Sequence, residues 1–491
     1  MESSEHFFRH EHGRLVASLT RIFGVHNLDL VEDVVQDAFV RALEVWKFRG
    51  MPQNPSAWLM TTAKNGALDA LRRQRTARKF APELARQMES EWALAATVEE
   101  MLQPGEIQDD LLKMMFSCCH PSIAENAQIA LILHVLCGFS VAEVASAFVC
   151  NRDAMEKRIQ RAKQALSGSK SLFDTRTPRE FAARLPTVRR ALYLLFNEGY
   201  HGASPAAAVK SELCREAIRL VSLLLGHAQG SSPPTCALAA LMCLHAGRLP
   251  ARMDAAGDLV ALAEQDRTRW DRELVGKGLG FLQLSATGDE LSEYHLEAGI
   301  ALEHIRAERP EDTDWHAIVG LYDMLLLQRP SPIVALNRAI AIGGRDGPDA
   351  GLQAIHAVAG REELASYPFY PAALGEFEYR RRNSSSAREH FRAALALARN
   401  PMERRYLSRR VSACEAGGHE AFEGGADVIF GISSATADAD AVGSVARGGD
   451  AEGDPEGPAA PPVRRHLYEE MWRETLDRLR HALGKHQHGH R

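Results

Sequence analysis

The chain lacks the sequence features that mark most enzymes, membrane proteins and secreted proteins. Its 491 residues contain no P-loop, no H-E-x-x-H, no G-x-S-x-G and no G-x-G-x-x-G behind a strand. No apolar run reaches the length of a transmembrane helix, and the N-terminal residues have no apolar core like that of a signal peptide. We therefore expect a cytoplasmic protein that is not an enzyme, uses no cofactor and does not engage a membrane.

Paired metal or redox cysteines are also missing. The eight cysteines form no C-x-x-C pair and mostly have apolar neighbours, which is typical of reduced thiols in a core. Cys118-Cys119-His120 is the arrangement most like a metal site, but no second ligand pair follows at zinc-like spacing. We expect no metal.

Strand-like alternation is almost absent, whereas helical periodicity appears in nearly every segment between Gly and Pro breaks. The sequence therefore predicts an all-α protein, and its length predicts several domains. A formal net charge of -6 argues against uniform coating of nucleic acid. Any DNA binding must then come from local basic patches.

Residues 140–166 have the pattern of two short helices around a tight turn. Ser140 and Glu143 form an S-x-x-E capping box, and Asn151 is the predicted N-cap of the second helix. Helical spacing predicts that these residues are buried: Val141, Val144, Ala145, Phe148, Met155, Ile159, Ala162 and Leu166. The segment therefore reads as a helix-turn-helix.

The opposite face of the second helix is basic, as a DNA-reading helix in the major groove requires. The residues nearest its N-terminal end, which usually meets base edges, are Arg152, Asp153, Glu156 and Lys157. Further along, the basic residues are Arg158, Arg161 and Lys163, of which the last two are better placed for phosphates. Taken alone, the segment also fits a helical hairpin with a solvated basic face.

Two further amphipathic helices are predicted upstream. In residues 29–46 the inward positions are Val31, Val34, Val35, Ala38, Ala42 and Val45, and the outward ones are Glu32, Asp33, Gln36, Asp37 and Arg41. Residues 54–79 have an apolar side and end in a basic cluster of Arg72, Arg73, Arg75, Arg78 and Lys79. The acidic face of the first helix is expected simply to face solvent. The basic end of the second helix fits either a favourable interaction with the helix dipole or binding to phosphates.

The sequence EDVVQDAFVRA at 32–42, the sequence AWLMTTAKNGALDALRR at 57–73 and the later helix-turn-helix together resemble one family. They look like the bacterial RNA polymerase sigma factors of the extracytoplasmic-function type, over about the first 170 residues. The subgroup with a fused tetratricopeptide-like extension is the most similar, because LFNEGY and a long helical block follow.

The resemblance assigns binding roles to individual residues. It implies that the clamp helices of the polymerase largest subunit bind a first set: Asp33, Gln36, Asp37, Phe39 and Arg41. It implies that a second set binds the melted minus-ten element: Asn65, Asp69, Arg72, Arg73 and Arg75. Trp58 is expected to pack in the core instead. The helix after Asn151 would read the minus-thirty-five element, and the polymerase flap is a further expected partner. Glu156 departs from many relatives, and we expect it to pair with Arg152 or Gln160.

The expected organisation has six parts. They are a region 2-like domain at 1–80, an acidic linker at 81–105, a region 4-like domain at 106–170, a helical extension at 180–415, a disordered tether at 431–462 and an amphipathic helix at 463–486. Because a linker separates the first two domains, we expect them to be tethered rather than fused. Leu112, Met115, Phe116 and Ile129 should form the core under the helix-turn-helix.

Within the extension, Ala387, Phe391, Ala394 and Pro401 fit the spacing of a tetratricopeptide repeat, although the period is irregular. The resemblance implies regulation in cis, with a protein or ligand regulator as a possible partner. Asn197, Glu198, Gly199 and Tyr200 could line a groove, but a glycine corner packed by Tyr200 is the interpretation we prefer.

These observations predict a sigma factor that binds polymerase core, reads a bipartite promoter and helps to melt it. The alternative is a free-standing helix-turn-helix regulator with a helical sensor domain. A tetratricopeptide adaptor that binds no DNA is a third interpretation.

Overall fold

A computed structural model of the chain describes residues 2–77, 109–148, 150–167, 178–201, 209–287 and 290–415. The predicted linker at 81–105, tether at 431–462 and helix at 463–486 lie outside the described residues, as do Arg78 and Lys79.

The regular secondary structure of the described residues is helical apart from an isolated bridge between Met253 and Leu259, which confirms the all-α prediction. The helices are α1 (Glu2–Phe23), α2 (Leu28–Arg49), α3 (Pro55–Ala77), α4 (Asp110–Cys118), α5 (Glu125–Leu131), α6 (Val141–Ala147), α7 (Arg152–Ser167), α8 (Pro178–His201), α9 (Ser211–Gly226), α10 (Pro233–Ala246), α11 (Leu249–Arg252), α12 (Arg272–Ser285), α13 (Glu293–Arg306), α14 (Trp315–Gln328), α15 (Pro332–Asp346), α16 (Pro348–His356), α17 (Phe369–Arg380), α18 (Ser384–Ala396) and α19 (Pro401–Glu415). A π-helical turn, Ile132–Leu136, continues α5. In the described part of the chain, no helix combines the length and apolar character needed to cross a membrane.

Two compact units make up the fold. Unit 1 comprises Met1–Leu195 and Arg219–Ser231, and unit 2 comprises Phe196–Ile218 and Ser232–Arg491. The boundary between them falls within α8 and within α9.

Helices α1, α2 and α3 pack together in unit 1 through the faces that periodicity predicts. Five of the six predicted inward residues of α2 are buried, and Val45 is half-buried. The buried residues of α3 are Leu59, Ala63 and Ala67, at a spacing of four residues. Periodicity therefore locates the core side of both helices because burial repeats with the helical turn.

A second surface of α1 packs against α4 and the π turn. A Cβ atom at Gly13 would lie 1.9 Å from the carbonyl oxygen of Leu136, so this approach of two backbones requires glycine. The domains expected to be tethered are thus in direct contact within unit 1. The expectation of separate modules missed this contact because small residues on a helix give no strong sequence signal.

The helix-turn-helix rests on the core that the sequence predicts. Leu112, Met115, Phe116 and Ile129 are buried, and so are seven of the eight predicted positions of α6 and α7. Val141 is the exception, because it is half-buried.

In unit 2, consecutive helices from α14 to α19 pack mainly against their neighbours in sequence, whereas α13 packs most extensively against α10. The ring of Phe377 on α17 lies in a notch formed by Gly343 and Gly351, where a Cβ atom would come within 2.2 Å and 2.7 Å of the ring. Ala387, Phe391 and Ala394 are buried on α18. Packing mainly between sequence neighbours is typical of solenoids, and the tetratricopeptide assignment stays a prediction.

One ion pair is fully buried in the core of unit 2. Glu376 is 1% exposed and Arg410 is 2% exposed. Arg410 Nη2 donates to Glu376 Oε2 at 2.5 Å, and the guanidinium lies 4.6 Å from the ring centre of Tyr379 and 5.1 Å from that of Phe391. Arg380 also reaches Glu376, at 3.3 Å. Two cations therefore share one buried carboxylate.

We expect Glu376→Gln to lower the free energy of unfolding by about 3 to 5 kcal/mol, because it leaves the buried Arg410 without its carboxylate. Urea unfolding of the full chain, followed by circular dichroism, measures the loss. The matched control is Glu415→Gln, which breaks the exposed Arg392–Glu415 pair and should cost less than about 1 kcal/mol. Equal effects of the two substitutions would contradict the importance of burial here.

Candidate nucleic-acid interface

The turn between α6 and α7 is fixed by the caps that the sequence predicts. The Ser140 amide donates to Glu143 Oε2 at 2.8 Å, and the Glu143 amide donates to Ser140 Oγ at 3.2 Å. The Asp153 amide donates to Asn151 Oδ1 at 2.8 Å, so Asn151 caps α7. These bonds confirm both capping predictions and set where α7 begins.

Most of the predicted DNA-binding residues of α7 are exposed to solvent. Arg152, Asp153, Glu156, Lys157 and Arg161 are all exposed. Arg158 is half-buried, with its guanidinium 6.0 Å from the ring centre of Phe148.

Glu156 does not behave as expected. Among the described residues it forms no ion pair or hydrogen bond with Arg152 or Gln160, because all three side chains extend into solvent. The acid therefore stays available on the face of α7.

Lys163, at the other end of α7, faces α2 instead of solvent. Its Nζ atom donates to Glu32 Oε2 at 2.6 Å and lies 4.0 Å from Asp29 Oδ1. Glu32 is only 8% exposed, so the expectation that it points outward is wrong. The reason is tertiary: a carboxylate paired with a lysine from another helix can be buried on a face that otherwise faces water.

The exposed face of α2 contains four of the five residues predicted to bind polymerase: Asp33, Gln36, Asp37 and Arg41. Phe39 is half-buried, with its ring centre 5.2 Å from that of Phe8 and 6.1 Å from that of His12.

Sequence reasoning missed the apolar part of this face. Val40 and Leu43 are more than half exposed, and Phe48 is 84% exposed. Together with Asp33 and Asp37, Val40 and Phe48 follow the helical spacing of one side of α2, which is the signal that could have found them. Exposed apolar residues beside acids are typical of a protein-binding surface.

On α3, Asn65, Asp69, Arg72 and Arg73 are exposed along one face. Arg72 Nη1 donates to Asp69 Oδ1 at 3.3 Å, and Arg73 Nε donates to the Asp69 carbonyl at 3.3 Å. Arg75 lies on the same helix, but its side chain is outside the described residues. Trp58 is half-buried and packs edge-on against Trp46, with ring centres 5.5 Å apart.

The adjacent thiols of α4 and its end are buried. Burial raises the pKa of Cys119 to about 12 and also raises that of Cys118, so both are neutral thiols. Nδ1 of His120 lies 2.6 Å from the hydroxyl of Ser122. A neutral thiol is a poor metal ligand.

Three families match successive parts of the chain. Residues 7–77 match Sigma-70 region 2, residues 113–166 match Sigma-70, region 4, and residues 184–286 match a family of unknown function (DUF6596). The chain is 37% identical over 394 residues to an uncharacterized protein of Rhizobium meliloti (strain 1021), which covers 80% of this chain and 91% of that protein. No solved structure gives a significant match.

The chain belongs to the bacterial RNA polymerase sigma factors of the extracytoplasmic-function type. It has an additional C-terminal domain beyond regions 2 and 4. Proteins with these regions bind polymerase core and promoter DNA and start transcription, and their role is not enzymatic.

Regions 2 and 4 of this sigma factor are joined by polar contacts as well as by the contact at Gly13. Asp110, at the start of α4, accepts from Ser18 Oγ at 3.0 Å and pairs with Arg21 Nε at 3.2 Å. Arg9 Nη1 lies 3.6 Å from Glu143 Oε1. Region 2 thus contacts region 4 at both the capping box and α4.

The first residues of the extension contact the same helix. Arg219 on α9 donates to Asp109 Oδ2 at 2.8 Å, and Arg184 on α8 donates to the Phe116 carbonyl at 3.2 Å. The ring of Phe181 is stacked between Phe116 and His227, with ring centres 4.4 Å and 4.6 Å away. Helix α4 is therefore held by region 2 and by the extension.

His12 lies where α1, α2 and the π turn meet, and it makes this contact sensitive to acid. Burial, with smaller contributions from His134 and Lys163, lowers the pKa of His12 to about 4. In the unfolded chain this group titrates near 6.5, so below that pH the unfolded state binds a proton that the folded state rejects. The contribution of the neutral His12 to the stability of the folded state is complete above about pH 6.5 and is lost as the pH falls towards 4.

We expect the opening free energy of α1 to fall by about 2 kcal/mol more between pH 7 and pH 5 in the wild type than in His12→Phe. Phenylalanine keeps a ring against Phe39 and removes the titrating group. Hydrogen exchange of the α1 amides, corrected for intrinsic rates, measures the opening. The exposed His316 provides the control, since His316→Phe should keep the wild-type dependence. The same dependence in His12→Phe would refute the assignment.

Proposed function

We propose that this sigma factor binds polymerase core through α2, captures the minus-ten strand with α3 and reads the minus-thirty-five element with α7. The extension regulates these steps in cis. The observation that carries the proposal is that the residues assigned to three partners lie on three separate faces, each of them mostly exposed.

The face of α2 has the composition expected for the clamp helices of the largest polymerase subunit. Asp33, Gln36, Asp37 and Arg41 supply polar contacts, whereas Val40 and Phe48 supply apolar area beside them. Charge directs association and apolar burial adds affinity. Phe39, which is packed against Phe8, supports the helix from within instead of making the main contact.

The face of α3 suits a single strand. Flipping a base out of a duplex costs a few kcal/mol of stacking, which contacts to the freed base and its backbone must offset. Asn65 offers an amide to a base, Arg72, Arg73 and Arg75 offer cations to phosphates, and Asp69 orients two of those arginines.

The face of α7 suits a duplex. Arg152, Asp153, Glu156 and Lys157 occupy the end that meets base edges in helix-turn-helix proteins, and Arg158 and Arg161 lie further along. Glu156 is free to accept from a cytosine amino group, the option that pairing with Arg152 would have removed. Lys163 reaches phosphate only if its contact with Glu32 opens.

Asp37→Arg should weaken association with purified polymerase core at least about tenfold, because it puts a like charge against a cationic partner surface and loses an attraction. Fluorescence anisotropy of the labelled chain measures the affinity, and run-off transcription from a cognate promoter measures activity. The control is Glu389→Arg, which makes the same change at an exposed position of α18.

Unchanged affinity in Asp37→Arg would overturn the docking assignment. If the wild-type chain binds a DNA duplex but does not bind polymerase core, the alternative of a free-standing regulator would be favoured. A failure to bind either DNA or core would favour the adaptor.

The contact between regions 2 and 4 supports a closed resting state. The two promoter elements are named for positions roughly 25 base pairs apart, which is about 85 Å of duplex. Helices α3 and α7 have 23 and 16 residues, or about 35 and 24 Å of length. Lys163 of α7 is ion-paired with α2, so the two helices lie too close together to span that distance. The two promoter elements therefore cannot be bound at the same time until the domains separate.

We expect Arg21→Gln to raise the affinity for core about two- to fivefold. It removes a partly exposed ion pair worth up to about 1 kcal/mol, which favours only the closed state. Arg14→Gln is the matched control on α1, because Arg14 pairs with Glu11 of its own helix. Equal affinities of the two variants would count against the closed state.

The extension is tested in the same assay. Arg219→Gln removes the ion pair between α9 and Asp109 and should also raise the affinity for core. Arg215→Gln is the control on the same helix, since it removes a hydrogen bond to Ser211 instead. Arg219→Gln behaving like Arg215→Gln would argue against regulation through α4.

A further inference from the structure

A group of buried and half-buried polar side chains lies where α8 ends, next to the end of α10 and to α11. We call Asn197, Tyr200, His201, His245 and Arg252 the Arg252 cluster. The Arg252 guanidinium lies 4.1 Å from the ring centre of Tyr200, and its Nη2 donates to His201 Nδ1 at 2.9 Å. The rings of Tyr200 and His245 are 5.1 Å apart, edge to face. All five residues belong to unit 2.

Arg252 differs from three other cations of unit 2 that are buried or half-buried. It is 3% exposed, yet no carboxylate of the described residues lies within ion-pair distance of it. By contrast, Arg410 pairs with Glu376, Arg399 with Glu403 and Lys210 with Glu198. Residues 202–208, which follow α8, are GASPAAA and contain no acid. Glu403 lies 3.7 Å from His201 Nε2 and is paired with Arg399. A buried cation that no carboxylate contacts is costly, so the site calls for a negative charge beside Arg252.

The polar atoms around Arg252 are also incomplete. In the part of the chain that the structure describes, the Tyr200 hydroxyl, His245 Nδ1, Arg252 Nε and both amide atoms of Asn197 are buried without a hydrogen-bond partner. Buried polar groups in folded proteins are nearly always satisfied by protein, water or a ligand. Several unsatisfied groups around one unpaired cation indicate a place for a ligand.

The histidines do not supply competing charge. Burial, and then the nearby cation of Arg252, hold the pKa of His201 well below its usual range. Burial followed by Arg248 and Arg252 does the same to the pKa of His245. Both rings are therefore neutral near pH 7, and each can donate or accept a hydrogen bond without repelling an anion.

Glycine packing does not explain the cluster. The corner expected from LFNEGY is wrong, because Gly199 lies inside α8; glycine is required there by the close approach of α9, where a Cβ atom would lie 2.8 Å from Leu213 Cβ and from the Cys214 nitrogen. That close contact explains why residue 199 must be glycine. It does not explain why the Tyr200 hydroxyl and the Asn197 amide are buried without hydrogen-bond partners.

We propose that the Arg252 cluster binds a small anion, the carboxylate or phosphoryl group of a metabolite, by pairing it with Arg252 and hydrogen-bonding it to Tyr200, His245 and Asn197. Such a site would let a dissolved signal enter the extension. The signalling role rests on the proposed regulation in cis, whereas binding itself does not.

The test uses the full chain without polymerase or DNA. Isothermal titration and thermal unfolding are measured with inorganic phosphate and, separately, with acetate, at constant ionic strength set by sodium chloride. We expect saturable binding of at least one of the two anions. The midpoint of thermal unfolding should rise with the concentration of the anion that binds. Binding of phosphate alone identifies a phosphoryl site, and binding of acetate alone identifies a carboxylate site.

Two variants separate specific binding from general salt effects. Tyr200→Phe removes only the hydroxyl, so the unliganded variant should be as stable as wild type, while its affinity for the anion falls about tenfold. Arg252→Gln should abolish saturable binding. Arg269→Gln removes an exposed arginine of the same unit and should bind like wild type.

Stabilisation by phosphate of equal size in all four proteins would overturn the proposal, because excluded ions stabilise every folded protein alike. The absence of saturable binding of either anion by the wild type would overturn it as well. A loss of stability in unliganded Tyr200→Phe would show that the hydroxyl already has a partner. Normal binding by a chain that fails to transcribe would reject the proposed function and leave the site intact.

Discussion

The close approach of α1 to the π turn determines the arrangement of unit 1. At Gly13 the two backbones leave no room for a side-chain carbon, and the apolar residues on either side of this point are withdrawn from water. The contact brings region 2 against α4 and allows Arg9, Ser18 and Arg21 to reach acids of region 4. The pairing of Lys163 with Glu32 also requires the two regions to be this close.

The contacts of the closed state differ in strength. Partly exposed pairs such as Arg21–Asp110 contribute up to about 1 kcal/mol each. Glu32 is almost completely buried, so separating it from Lys163 requires that the carboxylate return to water. A closed state made of several modest polar contacts around one tight backbone contact can be opened by a partner that binds the exposed faces of α2 and α7. We propose that polymerase and promoter act in this way by holding α2 and α7 at sites too far apart for the closed state to reach together.

Local features of the fold could be predicted from the sequence, whereas contacts between distant residues could not. The spacing of Met155, Ile159, Ala162 and Leu166 revealed the buried face of α7 because burial repeats with the helical turn. Ser140, Glu143 and Asn151 revealed the caps because a cap bonds within three residues. Glu32 resembled any solvated acid, since Lys163 is 131 positions away. Val40 and Phe48 share one side of α2 with Asp33 and Asp37, but they were overlooked because spacing alone does not tell whether that side is exposed.

Adjacent residues of α4 are attached to different parts of the polypeptide. Asp109 is bound by Arg219 of α9, and Asp110 is bound by Ser18 and Arg21 of α1. A single peptide bond thus connects the two attachments, and Asp109 also caps α4 through the Leu112 amide. A displacement of α9 that carries Arg219 with it would act on Asp109, next to the residue that binds α1. The first turn of α4 thus joins the contacts made by the extension to those made by region 2.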